Sequence, residues 1–267
     1  MGVLSRFFLG YVKGNFHVAC MVLCFYEITQ LRWGFSSFLN DQLLVLCLSF
    51  LAYNGIRHYP FVHFKQSFPP YYLALFFIAF FYSGFLFLGR SMEEQLLLFC
   101  CFLLSLAYTI PFPRKHKNLR NRYGLKIFIV ALCWTLLTAV FPLLGLTVFE
   151  CAHYLFFVER FIMVVVATLP FEIRDSSADD QDLGTIPQLI GCHFTKLLGY
   201  GLLLLLLFLI VFNPAFSLAE ASAMGAMLLA YCLSLYFIQP SSPKNSTLFW
   251  VEAIPLVGFM IYFFNPF

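Results

Sequence analysis

Long apolar stretches alternate with short polar ones along nearly the whole chain. An apolar stretch of about 20 residues is long enough to cross the hydrocarbon core of a bilayer as one helix. On this criterion the pattern predicts nine membrane-spanning helices, the first of them short because Lys13, Asn15 and His17 interrupt its start. The nine predicted helices cover residues 16–31, 38–56, 71–89, 93–111, 125–146, 151–170, 196–213, 216–238 and 248–265.

Composition supports a membrane protein and excludes an ordinary soluble domain. Hydrophobic residues make up 61% of the 267 residues and charged residues only 11%, whereas soluble domains carry roughly 25% charged residues. No linker-like tract divides the sequence, so residues 1–267 are expected to form a single all-α transmembrane domain. The net charge of +3 is too small to indicate a nucleic-acid partner.

The positions of the basic residues predict the orientation of the nine helices. If the N-terminus is cytoplasmic, only Arg32 and Arg90 fall in loops on the opposite side, and Arg160 falls within a span. Cytoplasmic loops of membrane proteins carry an excess of Lys and Arg. The remaining basic residues then share the cytoplasmic side: Arg6, Lys13, Arg57, Lys65, Arg114, Lys115, Lys117, Arg120, Arg122, Lys126, Arg174, Lys196 and Lys244.

Four of the five aspartates lie within eight residues, at positions 175, 179, 180 and 182. Carboxylates are costly near a bilayer, so such a group indicates a hydrated pocket or a metal site. Asp175 and Asp179 are four residues apart and on a helix would face one side about 6 Å apart. Two carboxylates so placed can bind Mg²⁺ together with substrate phosphates. The alternative is a solvated loop that carries helix caps.

A basic segment precedes the fifth predicted helix, with six Lys or Arg between residues 114 and 126. Such side chains bind phosphate groups directly. The alternative is that the segment fixes the topology and contacts anionic lipid. Acidic metal ligands, a cationic segment and an apolar interior together suit a diphosphate that carries a hydrocarbon chain. Loss of the diphosphate from such a chain leaves an allylic cation. The 36 Phe and 14 Tyr residues supply aromatic walls that can stabilise this cation.

The stretch from Pro170 to Gln188, PFEIRDSSADDQDLGTIPQ, together with the nine predicted helices, resembles the UbiA superfamily of intramembrane prenyltransferases. It is similar to the second aspartate-rich motif of a divergent bacterial branch of that family. Residues 52–54 with Arg57 lie where the family has its first motif. Residues 119–126 and 130–135 resemble the entry to the family's fifth helix.

The resemblance implies a prenyltransferase of the bacterial cytoplasmic membrane. Such a protein binds a polyprenyl diphosphate and transfers the prenyl group to an aromatic or lipophilic acceptor. It implies Asp175 and Asp179 as catalytic residues that bind Mg²⁺. Seven residues are then the candidate diphosphate contacts: Asn54, Arg57, Arg114, Lys115, Lys117, Lys126 and Arg174.

The sequence departs from the family at the first motif. Asn54 is present, but Gly55, His58 and Val62 occupy the three positions at which the family has acidic residues. One alternative is therefore a catalytically inactive protein of UbiA fold that binds prenyl lipid or quinone. A small membrane transporter is a further alternative, although the predicted charges collect at one face of the membrane instead of its midplane.

Two basic residues invite more specific hypotheses. Arg57 either forms an ion pair with Asp175 or Asp179 in the place of a metal, or binds diphosphate directly. Arg160 lies within a predicted span and is expected either to form a structural salt bridge or to act as a buried clamp.

Overall fold

The computed structural model describes residues 11–59, 70–111, 124–179, 183–212, 216–240 and 242–265. Within these ranges the chain is helical and contains no β-strand. We number the helices α1 to α10 in chain order. They are α1 (Phe16–Trp33), α2 (Leu39–His58), α3 (Pro70–Leu88), α4 (Met92–Thr109), α5 (Leu125–Thr135), α6 (Cys151–Asp175), α7 (Ile186–Phe212), α8 (Leu218–Phe237), α9 (Lys244–Glu252) and α10 (Ile254–Phe264).

Helices occupy all nine predicted segments, and the expected all-α class is confirmed for the described residues. Within the described ranges, seven segments are long and apolar enough to cross a membrane: Leu39–His58, Met92–Thr109, Leu125–Leu143, Cys151–Asp175, Ile186–Phe212, Leu218–Phe237 and Thr247–Phe264. Helix α1 is not among them, and α3 contributes only the shorter apolar stretch Tyr72–Leu88. A count of nine membrane spans therefore stays a prediction.

Neighbouring helices form a closed circuit in the order α1, α10, α8, α7, α6, α5, α4 and α2, with α3 packed outside on α2. The largest core cluster joins α1 with α5 to α10, and its fully buried members include Phe25, Met163, Leu169, Met227 and Tyr231. Many outward-facing side chains are large and apolar, such as Phe85 and Phe212. That distribution is expected where lipid covers the outer surface.

Helix α5 loses regular geometry beyond Thr135, passing through a π-helical segment (Leu136–Val140) into a 3₁₀ turn (Phe141–Leu143). Pro142 explains the change, because its nitrogen carries no hydrogen for the carbonyl of Thr138 four residues earlier. The Thr29 hydroxyl from α1 donates a hydrogen bond of 2.6 Å to that carbonyl instead. The irregular segment is thus tied to the core by α1.

Candidate functional site

The end of α6 meets the start of α5 through one lysine. Lys126 Nζ lies 2.8 Å from Glu172 Oε1 and 3.3 Å from Asp179 Oδ2. Glu172 is 3% exposed, so its charge requires a partner inside the protein. Lys126, a predicted phosphate contact, is therefore bonded to Asp179, a predicted metal ligand.

The guanidinium of Arg174 forms a two-pronged pair with the neighbouring carboxylate of Asp175. Its Nε donates to Oδ1 over 2.7 Å and its Nη2 to Oδ2 over 2.6 Å. The Arg174 side chain is 5% exposed and stacks over the ring of Phe171 at 5.3 Å, whereas Asp175 is 27% exposed. Paired, planar geometry of this kind is the strong form of an arginine–carboxylate contact.

We call Lys126, Glu172, Arg174, Asp175 and Asp179 the end cluster. The prediction that Asp175 and Asp179 share one face of a helix is wrong, because α6 ends at Asp175 and Asp179 lies in the bend that follows. The backbone N–H of Asp179 still donates to the Asp175 carbonyl at 2.8 Å. The two residues therefore remain neighbours through a turn instead of through a continuing helix.

The rest of the predicted motif folds back over the start of α5. The Gln188 amide donates to the Asp179 carbonyl at 3.4 Å, and its side-chain oxygen accepts from the Thr185 N–H at 3.0 Å. The Gly184 carbonyl accepts from the Gly124 N–H at 3.0 Å, and both glycines have positive φ. Two stretches on which the family resemblance rests thus lie together in the structure.

Asn54 lies fully buried in a hydrogen-bonded network that joins α2, α3 and the start of α1. Its side-chain oxygen accepts from Asn15 Nδ2 at 3.0 Å and from the Tyr72 hydroxyl at 2.9 Å. Its amide nitrogen donates to the carbonyls of Gly14 and Phe50 at 3.2 and 2.8 Å. Four partners satisfy this side chain, so its observed role is to connect helices.

Arg57, one turn further along α2, donates to the Lys13 carbonyl at 3.0 Å and to Asn15 Oδ1 at 3.1 Å. It is bonded to neither Asp175 nor Asp179, so the hypothesis of an ion pair between Arg57 and these aspartates is wrong. Asp179 instead forms an ion pair with Lys126, and Asp175 forms one with Arg174. The predicted contacts Arg114, Lys115 and Lys117 lie outside the described residues.

The carboxylates of the end cluster are a poor fit to Mg²⁺. Both oxygens of Asp175 accept from Arg174, and Lys126 holds Asp179 together with Glu172. Across the described ranges no group of three or more His, Cys, Asp or Glu side chains is placed to bind one metal ion. A divalent ion at Asp175 and Asp179 would have to displace two protein cations, Arg174 and Lys126.

Sequence reasoning missed one carboxylate near this site, that of Glu252. It is the last residue of α9, a helix that packs on α6 and α1. The positive charges of Arg174 and Arg57 lie near enough to interact with its carboxylate. Chain position gave no signal for this proximity, since Glu252 lies 77 residues beyond Asp175.

A second charged group lies toward the other end of α6, which we call the interior cluster: Arg32, Glu159, Arg160 and Glu220. Arg32 Nη1 lies 2.8 Å from Glu159 Oε2, and Arg32 Nε lies 2.8 Å from Glu220 Oε1. The contact between Arg32 and Glu220 is an ion pair without a hydrogen bond, because the Arg32 Nε–H is not directed at Glu220 Oε1. From Arg160 to Asp175 the helix rises about 22 Å, which separates the two clusters.

Arg160 does not form the expected salt bridge with any described residue. Its Nη1 donates to the Phe25 carbonyl at 2.8 Å and its Nη2 to the Thr29 hydroxyl at 3.2 Å. The ring of Phe25 lies 4.4 Å from the guanidinium carbon. Glu159, its neighbour in sequence, is bonded to Arg32 instead, because adjacent residues on a helix point in different directions.

The interior cluster encloses a cavity of about 10 Å³, bordered by its four charged residues with Phe25, Phe156 and three methionines. That volume is near the minimum for one water molecule. Two arginines and two glutamates balance in charge. The cavity is too small for any ligand larger than water.

No family model, curated protein or solved structure matches this chain.

Proposed function

We propose that the chain is an intramembrane, prenyltransferase-like protein of the UbiA type that binds a polyprenyl diphosphate. The observation that supports the proposal most is the meeting of Lys126, Arg174 and the predicted second motif at one end of an apolar, aromatic bundle. The diphosphate lies at this end and the prenyl chain extends between the helices. The proposal includes a bacterial cytoplasmic membrane, with the N-terminus and the end cluster on its cytoplasmic side.

The cations of the end cluster provide the chemistry that a diphosphate needs. Lys126 is shared between two carboxylates, and its longer contact, 3.3 Å to Asp179, is the one a phosphate oxygen replaces most easily. During transfer, the bond from the first prenyl carbon to the diphosphate oxygen breaks, and the electron pair leaves with the diphosphate. Fixed cations stabilise the charge that develops on this leaving group. The prenyl carbon then bonds to an aromatic or lipophilic acceptor, which releases a proton.

A second candidate is a catalytically inactive protein of the same type that binds prenyl lipid or quinone. Two observations favour it. Asp175 and Asp179 are each bonded to a cation of the chain itself, and Asn54 of the predicted first motif serves as a structural link. Ligand binding without release of diphosphate distinguishes this candidate from an enzyme.

Thermal stabilisation of the purified protein in detergent tests the proposal. Geranylgeranyl diphosphate should raise the melting temperature in EDTA as well as in Mg²⁺, because Lys126 and Arg174 replace the metal. Geranylgeraniol, which lacks the charged group, should raise it less. Lys126→Met should remove the difference between the two ligands, whereas Lys196→Met, a lysine bonded to the Tyr236 carbonyl, should retain it. Equal effects of both ligands on the parent protein would contradict the proposal.

A further inference from the structure

The cavity inside the interior cluster is bordered by a hydrogen-bond acceptor that the described chain leaves without a donor. Glu220 is buried, and its Oε1 accepts no hydrogen bond from any described residue. Arg32 Nε supplies an opposite charge 2.8 Å away, but its N–H is not directed at this oxygen. Buried polar atoms of proteins are almost always hydrogen-bonded, either to the protein or to an ordered water. Glu220 Oε1 is therefore an acceptor that fits a donor held in the cavity.

Arg160 presents the complementary donors to the same cavity. A guanidinium carries five N–H groups. Arg160 donates to three described acceptors: the Phe25 carbonyl at 2.8 Å, the Thr29 hydroxyl at 3.2 Å and the Thr138 hydroxyl at 3.4 Å. The side chain is buried, so its remaining donors meet no bulk solvent. They fit an acceptor held between Arg160 and Glu220.

The size and charge of the cavity select a small neutral molecule. Its volume of about 10 Å³ is sufficient for one water. The two arginines and two glutamates around it balance in charge, so neither a cation nor an anion is favoured over a neutral ligand. The ring of Phe156 lies 4.6 Å from the guanidinium carbon of Arg32 and 5.2 Å from that of Arg160. These cation–π contacts keep both arginines beside the cavity.

We propose that the interior cluster binds one water molecule, which donates a hydrogen bond to Glu220 Oε1 and accepts one from the Arg160 guanidinium. The water joins α6 to α8 and links Arg160 to a carboxylate with which it forms no direct bond. Such a bridge is nearly as favourable in enthalpy as a direct hydrogen bond. The site is independent of the proposed diphosphate site, which lies at the other end of α6.

X-ray radiolytic footprinting of the purified full chain in detergent tests the proposal. The pulse converts water to hydroxyl radicals, and a water held beside a methionine oxidises that side chain in place. Met163 and Met227 border the cavity, whereas Met21 does not and is buried to a similar extent. We expect Met163 and Met227 to be oxidised severalfold faster than Met21, as measured by mass spectrometry of peptides. Equal rates for the three methionines would overturn the proposal.

A scavenger dissolved in the solvent identifies the source of the radicals. Mannitol removes hydroxyl radicals from bulk water and should slow the oxidation of Met92, which is exposed. It should leave the rates of Met163 and Met227 unchanged, because their radicals form inside the protein. If mannitol slowed the cavity methionines as strongly as Met92, the radicals would come from bulk solvent and the proposal would fail.

Two variants connect the oxidation to the proposed site. Glu220→Leu removes the acceptor and should lower the oxidation of Met163 and Met227 to the rate of Met21. Met224→Phe fills the cavity from α8 with all four charges in place, and it should have the same effect. Glu93→Leu, at an exposed position of α4, should leave the rates unchanged. Fast oxidation of Met163 and Met227 that persists in Met224→Phe would contradict a water in this cavity.

Discussion

The end cluster and the interior cluster are both built from charged side chains but differ in how far those side chains are exposed. In the interior cluster, arginines and glutamates balance around a cavity of about 10 Å³. At the end cluster, Asp175 and Lys126 retain 27% and 19% of their side-chain exposure, and Glu252 nearby forms no hydrogen bond or ion pair within the described part of the chain. Charged residues within a membrane protein usually indicate function. Here the exposure of the charged side chains separates the structural group from the candidate ligand site.

The largest effect on stability is expected from Arg32→Met in the interior cluster. The substitution leaves Glu159 and Glu220 buried without their cation, and breaking a buried pair in this way costs about 3–5 kcal/mol. Unfolding in mixed micelles with increasing SDS measures the loss. Adding Glu159→Gln to Arg32→Met should restore part of the stability. A loss below about 1 kcal/mol would show that the cluster is not structural.

Lys126→Met should cost less stability, about 1–3 kcal/mol, because the buried carboxylate of Glu172 loses its partner while Asp179 can still meet water. The same unfolding assay applies. Lys126→Arg keeps the charge and serves as the control. If Lys126→Met destabilised the protein as strongly as Arg32→Met, the contrast between the two clusters would fail.

Thr29→Val tests how α1 supports the irregular end of α5. The Thr29 hydroxyl donates to the Thr138 carbonyl, which Pro142 leaves without a helical donor, and it accepts from Arg160. Valine has nearly the same shape but satisfies neither group, so a loss of about 1–3 kcal/mol is expected. Thr168→Val, whose hydroxyl is bonded only within its own helix, is the matched control. A similar small loss in both variants would contradict this role for Thr29.

The smallest effect is expected from Tyr231→Phe. The Tyr231 side chain is fully buried, and its hydroxyl has no hydrogen-bond partner among the described residues. Removing a buried polar group without a partner is close to neutral or slightly stabilising. Unfolding in the same assay would reveal a bridging water if the variant lost more than about 1 kcal/mol.

The helices were predictable from the sequence, whereas the pairing of charges was not. Apolar runs of about 20 residues are local signals, and helices occur at each of them. The bond between Lys126 and Asp179 joins positions 53 residues apart, and the pair of Arg32 with Glu220 joins positions still further apart. Such pairs depend on which helices are neighbours, and one sequence does not encode that locally.

The candidate site was predictable in part for the same reason. Asp175, Asp179, Lys126 and Arg174 stood out as charges in or beside apolar stretches, and the structure brings all four to one end of the bundle. The turn after Asp175 and the partner of Asp179 follow from tertiary contacts with Lys126 and Gln188. Glu252 gave no signal, because a single acidic residue near a predicted helix start resembles an ordinary cap.

Equilibrium binding of geranylgeranyl diphosphate in EDTA, compared between a variant in the end cluster and one beside the interior cluster, tests the central claim most directly. Lys126→Met should raise the dissociation constant at least tenfold, because the ligand loses a charge-assisted contact worth about 1.5–3 kcal/mol. Thr29→Val, at a residue that accepts a hydrogen bond from Arg160 of the interior cluster, should leave the dissociation constant within about twofold, since that cluster lies toward the opposite end of α6. Equal affinities in the two variants would contradict the assignment of ligand binding to the end cluster.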